Sequence, residues 1–203
     1  MTSRCNVLAM SVLTLAATVQ AAGALQLGDA MPDAAVKMKS VSGREVTLGE
    51  VAGPKGTLVI FSCNHCPWVK AWETRIAALG RELPAKGIGV VAVNSNDPAA
   101  YPGDGYADMI ARAKAAGFTF PYVVDSTSDV ARAFGATHTP EAFLFDRAGK
   151  LVYHGAIDDN AEDAAKVKHH YLADAAGALL AGRPIVTAET KSIGCSLVLR
   201  PKG

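Results

Sequence analysis

The sequence has no strong excess of either charge and few aromatic residues. It carries 20 Lys and Arg against 19 Asp and Glu, so its charge predicts neither a nucleic-acid footprint nor a polybasic membrane patch. Aromatic residues make up only 6% of the chain, whereas glycine occupies 19 positions, which fits an α/β domain packed through small residues. Half of the 203 residues are hydrophobic, which is enough for one ordinary globular core.

Long apolar runs are also scarce, and the clearest one lies at the N-terminus. Residues 7–19 are mainly apolar, Arg4 precedes them, and small residues ending at Ala21 match a signal-peptidase site. The run of about a dozen residues is too short to span a bilayer, which needs ~20. We therefore expect residues 1–21 to be a cleaved signal peptide, with an uncleaved anchor as the alternative.

Residues 22–203 are then predicted to form one exported domain, periplasmic or secreted, without stable membrane insertion. Loss of Arg4 lowers the basic count from 20 to 19 and leaves it equal to the acidic count. Cys5 leaves with the signal, so Cys63, Cys66 and Cys195 remain in a compartment where disulfides persist. Because this number is odd, at least one thiol is outside a permanent internal bridge.

The order of hydrophobic patterns predicts an α/β fold with one mixed sheet flanked by helices. Strands are expected at 58–61, 88–93, 122–124, 142–145 and 151–154, a β-hairpin at 36–48, and helices at 68–83, 106–116, 129–134 and 163–180. Ser128 is expected to cap the helix over 129–134. Residues 94–120 form an insert between the first βαβ part and the later strands, and residues 183–203 form a C-terminal tail.

The chemistry is predicted to lie in Cys63-Asn64-His65-Cys66, between a buried strand and a helix. The positive end of a helix dipole lowers a thiol pKa, which suits disulfide exchange. Cys63 is expected to be the more exposed, attacking thiol, and Cys66 the resolving one. His65 is expected to favour the Cys63 thiolate and so stabilise the reduced form.

Two other uses of the CxxC pair are open. It is half of a zinc site, but the sequence has no second CxxC and no HxxxH pair. Cys195 would have to supply a third ligand and His65 or His138 a fourth, and the two thiolates with His65 near them would suit a Cu(I) carrier. A purely structural disulfide would close a very short loop and gain little from chain entropy. We predict neither a metal nor a cofactor.

Four parts of the chain resemble the redoxin branch of the thioredoxin superfamily, the peroxiredoxin-like group of AhpC/TSA- and TlpA-like proteins. They are the N-terminal hairpin around 28–48, the active-site turn 61–69 with its CNHC motif, the insert segments 94–97 and 120–122, and the closing part 139–159 with the tail 193–196. The resemblance implies a thioredoxin-like fold and a thiol–disulfide oxidoreductase. It implies that the substrates are protein thiols or disulfides, or small thiols or peroxides.

The resemblance also implies roles for single residues. Cys63 and Cys66 would be redox-active, the bond between Thr139 and Pro140 would be cis, and Cys195 would have an auxiliary role. Cys195 is otherwise open to three interpretations: a buried free thiol, a second resolving cysteine, or an intermolecular link.

The sequence departs from typical peroxiredoxins at the peroxide-binding positions. Cys63 stands where their threonine precedes the Cys-Pro pair, and Val59 stands where they have a proline. A thiol-dependent peroxidase therefore remains the alternative function. Arg132 is its candidate arginine, although most arginines are solvated surface residues.

The proton acceptor for Cys66 is not evident either. The strand before the CxxC offers no acid, since Val59, Ile60 and Phe61 are apolar. Glu73 and Glu141 are the candidates.

Overall fold

The computed structural model describes residues 24–202. The predicted signal peptide and its cleavage site lie outside these residues. Between residues 24 and 202, no helix combines the length and the apolar character needed to cross a membrane.

The fold is built on a mixed sheet. The nine strands of the described chain are β1 (Met38–Ser40), β2 (Glu45–Val46), β3 (Gly56–Phe61), β4 (Ile88–Asn94), β5 (Tyr122–Val124), β6 (His138–Thr139), β7 (Glu141–Asp146), β8 (Leu151–Gly155) and β9 (Cys195–Ser196). One run of neighbouring strands has the order β2-β1-β5-β4, with β4 and β5 parallel, and a second has the antiparallel order β3-β7-β8. The Ser62 N–H donates to the Val93 carbonyl at 2.9 Å just beyond β3, which joins the two runs side by side.

Helices cover the sheet. They are α1 (Leu48–Val51), α2 (Pro67–Ala85), α3 (Tyr106–Ala116), α4 (Asp129–Phe134) and α5 (Tyr171–Leu180), with 3₁₀ turns at Pro102–Asp104 and Ala164–Lys166. Side chains of β3 alternate between the two faces, so Leu58 packs in the core beneath α2, α3 and α5, whereas Val59 packs in the core beneath α1 and α4. The predicted fold class is confirmed.

The conformation of the turn that carries the CxxC pair follows from this arrangement. All six residues of β3 are buried, so the strand is fixed in the sheet up to Phe61. Pro67 occupies the first turn of α2, and Cys66 is its N-cap. A proline fits the first turn because backbone N–H groups there have no partner within the helix, and because its fixed φ already has the helical value. The four residues 63–66 are therefore held between a central strand and the start of a long helix.

The predicted helix over 163–180 is wrong in its first half, because α5 begins only at Tyr171. The Asp159 carboxylate accepts the Lys168 N–H at 2.9 Å. The Arg75 guanidinium binds the carbonyls of Asn160 and Ala161 at 2.7 and 2.8 Å. These tertiary bonds hold the segment in a loop and override its helical pattern.

Ser128 does not cap α4 in the predicted way. It stands at the N-cap position, but its φ is +59° and its hydroxyl donates to the Ser95 carbonyl at 2.7 Å. Asp125 takes the capping role, since its Oδ2 accepts the Ala131 N–H at 2.9 Å.

Part of the tail crosses the surface as a fixed segment, residues 188–200, which we call the C-terminal strap. At its start the Thr190 N–H donates to the His154 carbonyl at 3.0 Å, and near its end the Val198 carbonyl accepts the Asp97 N–H at 2.7 Å. Between these points β9 pairs antiparallel with β6, with Cys195 opposite Thr139. The strap therefore lies directly against the strand that precedes Pro140.

Candidate redox site

Three cysteines meet at the start of α2, and all are free thiols in this structure. Cys63 and Cys66 come from the turn after β3 and are 2% and 0% exposed, whereas Cys195 comes from the strap and is half-buried. The Cys66 and Cys195 Sγ atoms lie 2.7 Å apart. Cys66 therefore lies in contact with the strap as well as with its partner in the CxxC motif.

The segment around Pro140 closes the site from the opposite side. The Thr139–Pro140 peptide is cis, as the resemblance implies. The Thr139 hydroxyl oxygen lies 3.2 Å from the Cys63 Sγ, and the Thr139 carbonyl oxygen lies 3.2 Å from the Cys66 Sγ. One residue thus contacts both sulfurs of the predicted redox pair.

The electrostatics favour a thiolate on Cys66. A hydrogen bond from Cys63 lowers the pKa of the Cys66 thiol well below its usual range, and further bonds from Cys195 and the Val69 N–H outweigh the effect of burial. The bond to Cys66 and burial raise the pKa of Cys63, and burial with the bond to Cys66 raises the pKa of Cys195. Cys63 was expected to be the exposed, attacking thiol, but both sulfurs of the pair are buried, and the hydrogen bonds to Cys66 lower the pKa of that thiol instead.

Asp104 is a buried acid that sequence reasoning missed. Its Oδ1 accepts the N–H groups of Asn64 and His65 at 2.7 and 3.3 Å. Its Oδ2 is 2.7 Å from the His65 Nδ1 and accepts the Asn96 side-chain amide at 2.7 Å. A Cys63 sulfur, a His65 ring nitrogen and an Asp104 oxygen lie within 4.8 Å of one another. The acid is about forty residues from the CxxC in a Pro/Gly-rich loop, and no spacing rule relates the two.

His65 is held by Asp104 and by an aromatic neighbour. Its ring stacks on Tyr101 with centroids 4.1 Å apart. The side chain is 29% exposed, whereas that of Asp104 is fully buried. His65 therefore links a buried carboxylate with the surface beside Cys63.

Neither acid suggested from the sequence reaches the sulfurs. Glu73 pairs with Arg112 at 2.5 Å. Glu141 lies 2.7 Å from the His154 Nε2; burial raises its pKa, but hydrogen bonds from His154 and two backbone N–H groups more than offset this and lower it. Within residues 24–202, Asp104 is the acid that the structure places beside the cysteines.

Arg132 holds the strap instead of facing the thiols. Its guanidinium donates to the Thr127 carbonyl at 2.7 Å, to the Asp129 carboxylate at 3.0 Å and to the Arg200 carbonyl. His138 is turned toward the Thr137 hydroxyl at 2.8 Å. The structure therefore does not bring either residue to the sulfur cluster.

A metal ion would have to use groups that are already occupied. Cys63, His65 and Asp104 form a cluster of three potential donors, but both Asp104 oxygens already accept two hydrogen bonds each. Two thiolates on one tetrahedral zinc, with bonds of about 2.3 Å, lie about 3.8 Å apart. The 2.7 Å between the Cys66 and Cys195 sulfurs is shorter than that, so this pair as arranged does not hold a tetrahedral zinc ion between its two sulfurs.

Comparison with known proteins places this site in a family. Residues 27–154, more than half of the chain, match the AhpC/TSA family. The chain belongs to the AhpC/TSA family. This confirms the predicted membership of the redoxin branch of the thioredoxin superfamily.

Two curated relatives of this AhpC/TSA protein are named thiol-disulfide oxidoreductase ResA. The protein from Halalkalibacterium halodurans is 26% identical over 115 residues, which are 57% of this chain and 61% of the relative. The protein from Geobacillus thermodenitrificans is 28% identical over 131 residues, 63% of this chain and 68% of the relative. The match thus spans less than two thirds of the first relative's length.

Solved structures match over more of the AhpC/TSA chain. An uncharacterized conserved protein from Geobacillus kaustophilus has a TM-score of 0.81 and 37% identity, with coverage of 88% of this chain and 94% of that chain. A hypothetical protein from Sinorhizobium meliloti 1021 has a TM-score of 0.80 and 35% identity, with coverage of 88% and 97%. A thioredoxin-like protein in the oxidized form has a TM-score of 0.64 and 22% identity, with coverage of 78% and 99%. The fold is therefore thioredoxin-like.

Proposed function

We propose that this protein is an exported thiol–disulfide oxidoreductase whose Cys63 and Cys66 cycle between dithiol and disulfide. The observation that carries the proposal is the pair itself: two buried thiols at the start of α2, both in contact with Thr139. The names of the two ResA relatives agree with this activity. The proposed substrates are protein thiols or disulfides, or small thiols, and nucleic acid is not among the partners.

The exchange balances within the pair and its substrate. The reduced site holds one thiol on Cys63 and one thiolate on Cys66. Oxidation forms the Sγ–Sγ bond, and two electrons with the Cys63 proton pass to a substrate disulfide, which leaves as one thiol and one thiolate. The reverse reaction oxidises a substrate dithiol.

Asp104 and His65 are the proposed proton acceptors for Cys63. The bond to Cys66 and burial raise the pKa of Cys63, so this thiol needs a base before it can react. The His65–Asp104 pair lies within 4.8 Å of the Cys63 sulfur, and the exposed part of His65 can pass the proton to water. In this proposal the histidine acts as a proton carrier, a different role from stabilising a Cys63 thiolate.

A redox titration tests the proposal. The protein is equilibrated in a glutathione series while tryptophan fluorescence is recorded, because Trp68 lies in the first turn of α2. We expect a reversible two-electron transition that disappears in Cys66→Ser and persists in the control Ser196→Ala, at an exposed position. If Cys63 and Cys66 stay reduced across the series, the proposed function is wrong.

Export is proposed on the N-terminal pattern of residues 1–21. Expression with the full chain should deliver a periplasmic or secreted protein that begins at residue 22. N-terminal sequencing of the exported protein measures this directly. A protein that retains residue 1 and stays in the cytoplasm would contradict export without bearing on the thiol chemistry.

A thiol-dependent peroxidase is the second candidate, and membership of the AhpC/TSA family favours it. Cys66 precedes Pro67 at a helix start and has a lowered pKa, as a thiol that attacks peroxide requires. The peroxide would be reduced to water while Cys66 becomes a sulfenic acid, which Cys63 then resolves. Fast, saturable consumption of hydrogen peroxide supports this candidate, and a rate like that of free cysteine rejects it.

A further inference from the structure

We propose that Cys195 is a third redox cysteine, through which the buried Cys63–Cys66 pair exchanges disulfides with substrates in solution. The inference rests on the proposed function and extends it. In this inference the substrate sulfur reacts first with the cysteine of the strap.

Access to the buried pair is the first argument. Disulfide exchange requires one sulfur to reach another directly, yet Cys63 and Cys66 are 2% and 0% exposed. Cys195 is half-buried and its sulfur lies 2.7 Å from that of Cys66. It therefore combines contact with the pair and contact with solvent.

The position of Cys195 is fixed from several directions. Thr139 pairs with Cys195 across β6 and β9. The Leu197 N–H donates to the Thr137 carbonyl at 2.9 Å on one side of it, and the Ser192 hydroxyl donates to Glu141 at 3.1 Å on the other. Cys195 is therefore held beside Cys66 by a strap that is anchored on both sides.

Gly194 shows how closely the strap approaches. A Cβ at this position would lie 2.6 Å from the Thr139 carbonyl carbon and 3.2 Å from the Pro140 nitrogen, and closer still to the Thr139 oxygen. These are backbone atoms, so they cannot move aside as a side chain would. The absence of a side chain at 194 is what lets the following cysteine reach Cys66.

The internal step conserves atoms and electrons. In the oxidised protein the Cys195 sulfur attacks the Cys66 sulfur, the Cys66–Cys195 bond forms, and the Cys63–Cys66 bond breaks. The proton from Cys195 ends on the Cys63 sulfur, next to the Thr139 hydroxyl. This step is an exchange of disulfides, with no net oxidation.

The external step uses a substrate dithiol. Its first thiolate attacks the Cys195 sulfur and releases Cys66 as a thiolate, which is a good leaving group because its pKa is low. The second substrate thiolate then attacks its partner sulfur and releases the Cys195 thiolate, which takes up a proton. The substrate leaves as a disulfide and the protein is fully reduced.

The test examines Cys66 and Cys195 in a protein that lacks Cys63. Cys63→Ser protein, with residues 1–21 removed, is equilibrated with oxidised glutathione and its disulfides are mapped by mass spectrometry. We expect an intramolecular Cys66–Cys195 disulfide and the loss of both remaining thiols. Glutathione attached to Cys66, with Cys195 still a free thiol, would overturn the inference.

A rate comparison tests whether Cys195 passes disulfides between the pair and its substrates, which we call the relay, or whether the strap only shields the pair. We expect Cys195→Ser to slow exchange with a protein disulfide such as insulin by at least about tenfold, while Ser196→Ala, at the exposed neighbouring position, matches the wild type. Faster exchange in Cys195→Ser would mean that the strap only shields the pair, and would also overturn the inference.

The two proposals fail in different ways. If Cys195→Ser still forms the Cys63–Cys66 disulfide in a glutathione series, while Cys63→Ser never forms the Cys66–Cys195 bond, the relay is wrong and the proposed function stands. If Cys195→Ser cannot form the Cys63–Cys66 disulfide, the proposed function itself is wrong.

Discussion

Replacing Gly194 by alanine tests whether the strap has to approach Thr139 as closely as the structure shows. The new methyl carbon would lie 2.6 Å from the Thr139 carbonyl carbon, whereas ordinary van der Waals contact begins at 3.4 Å. Backbone has to move to make up this difference. Since Cys195 is the next residue, its sulfur moves with the strap away from Cys66.

The size of the effect follows from the cost of overpacking. Inserting a methyl group into a close-packed contact costs about 1–3 kcal/mol. If the strap relieves this by moving outward, Cys195 reaches Cys66 less often by a factor of about 5 to 150. A disulfide needs its two Cβ atoms about 3.8 Å apart, so a small displacement of the strap is sufficient.

The assay measures the effective concentration of Cys195 at Cys66. Gly194→Ala is made in the Cys63→Ser background, and the Cys66–Cys195 disulfide is titrated against glutathione. Gly177→Ala is the matched control, because a Cβ there meets no atom within 4 Å and alanine favours the helix by about 0.5–1 kcal/mol. An effective concentration in Gly194→Ala equal to that of the control would refute the reasoning about the strap.

Three other changes probe the site and its support. Absorbance of the reduced protein at 240 nm should reveal a thiolate that titrates well below pH 8.5 and is absent in Cys66→Ser. Because the pKa of Cys66 is lower in the folded state than in the unfolded state, the thiolate's contribution to stability is complete only above the unfolded pKa. This contribution declines as the pH falls toward the folded pKa. Asp104→Asn should lower the free energy of unfolding by about 2–6 kcal/mol in urea titrations, because the asparagine amide group would point its own N–H donors at two buried donors. The control Asp108→Asn, at an exposed position, should change the free energy of unfolding by less than about 0.5 kcal/mol. Equal values for the two variants would contradict the hydrogen-bond network around Asp104. Gly80→Ala should lower the free energy of unfolding by about 1–3 kcal/mol, because its Cβ would lie 3.0 Å from the Phe120 Cγ and closer to two other carbons of that ring. An unchanged thermal midpoint would show that the Phe120 ring can move aside.

Elements with strong local signals were predictable from the sequence. The helix over 106–116 has the bounds of α3, and the run before the CxxC became the fully buried strand β3. The helix predicted over 68–83 lies within α2. In each case hydrophobic periodicity and a terminal signal agree with the tertiary structure.

The parts that could not be predicted depend on contacts between distant residues. Asp104 meets His65 across 39 positions, and Cys195 meets Cys66 across 129. Neither separation leaves a pattern in the sequence. The expected exposure of Cys63 failed for the same reason, since the cluster of Cys63, Cys66 and Val69 packs against the strap cysteine and the strap's path cannot be inferred locally.

The hydrogen bonds of the turn that carries the CxxC pair determine how far its backbone would have to move in the proposed redox cycle. The Asn64 and His65 amides are bound to the buried Asp104 carboxylate, and the Ser62 amide to β4. Amides held in this way exchange with solvent slowly even within a loop. In the proposed redox cycle the turn would act as a rigid frame, so that opening or closing a disulfide would carry a small reorganisation energy.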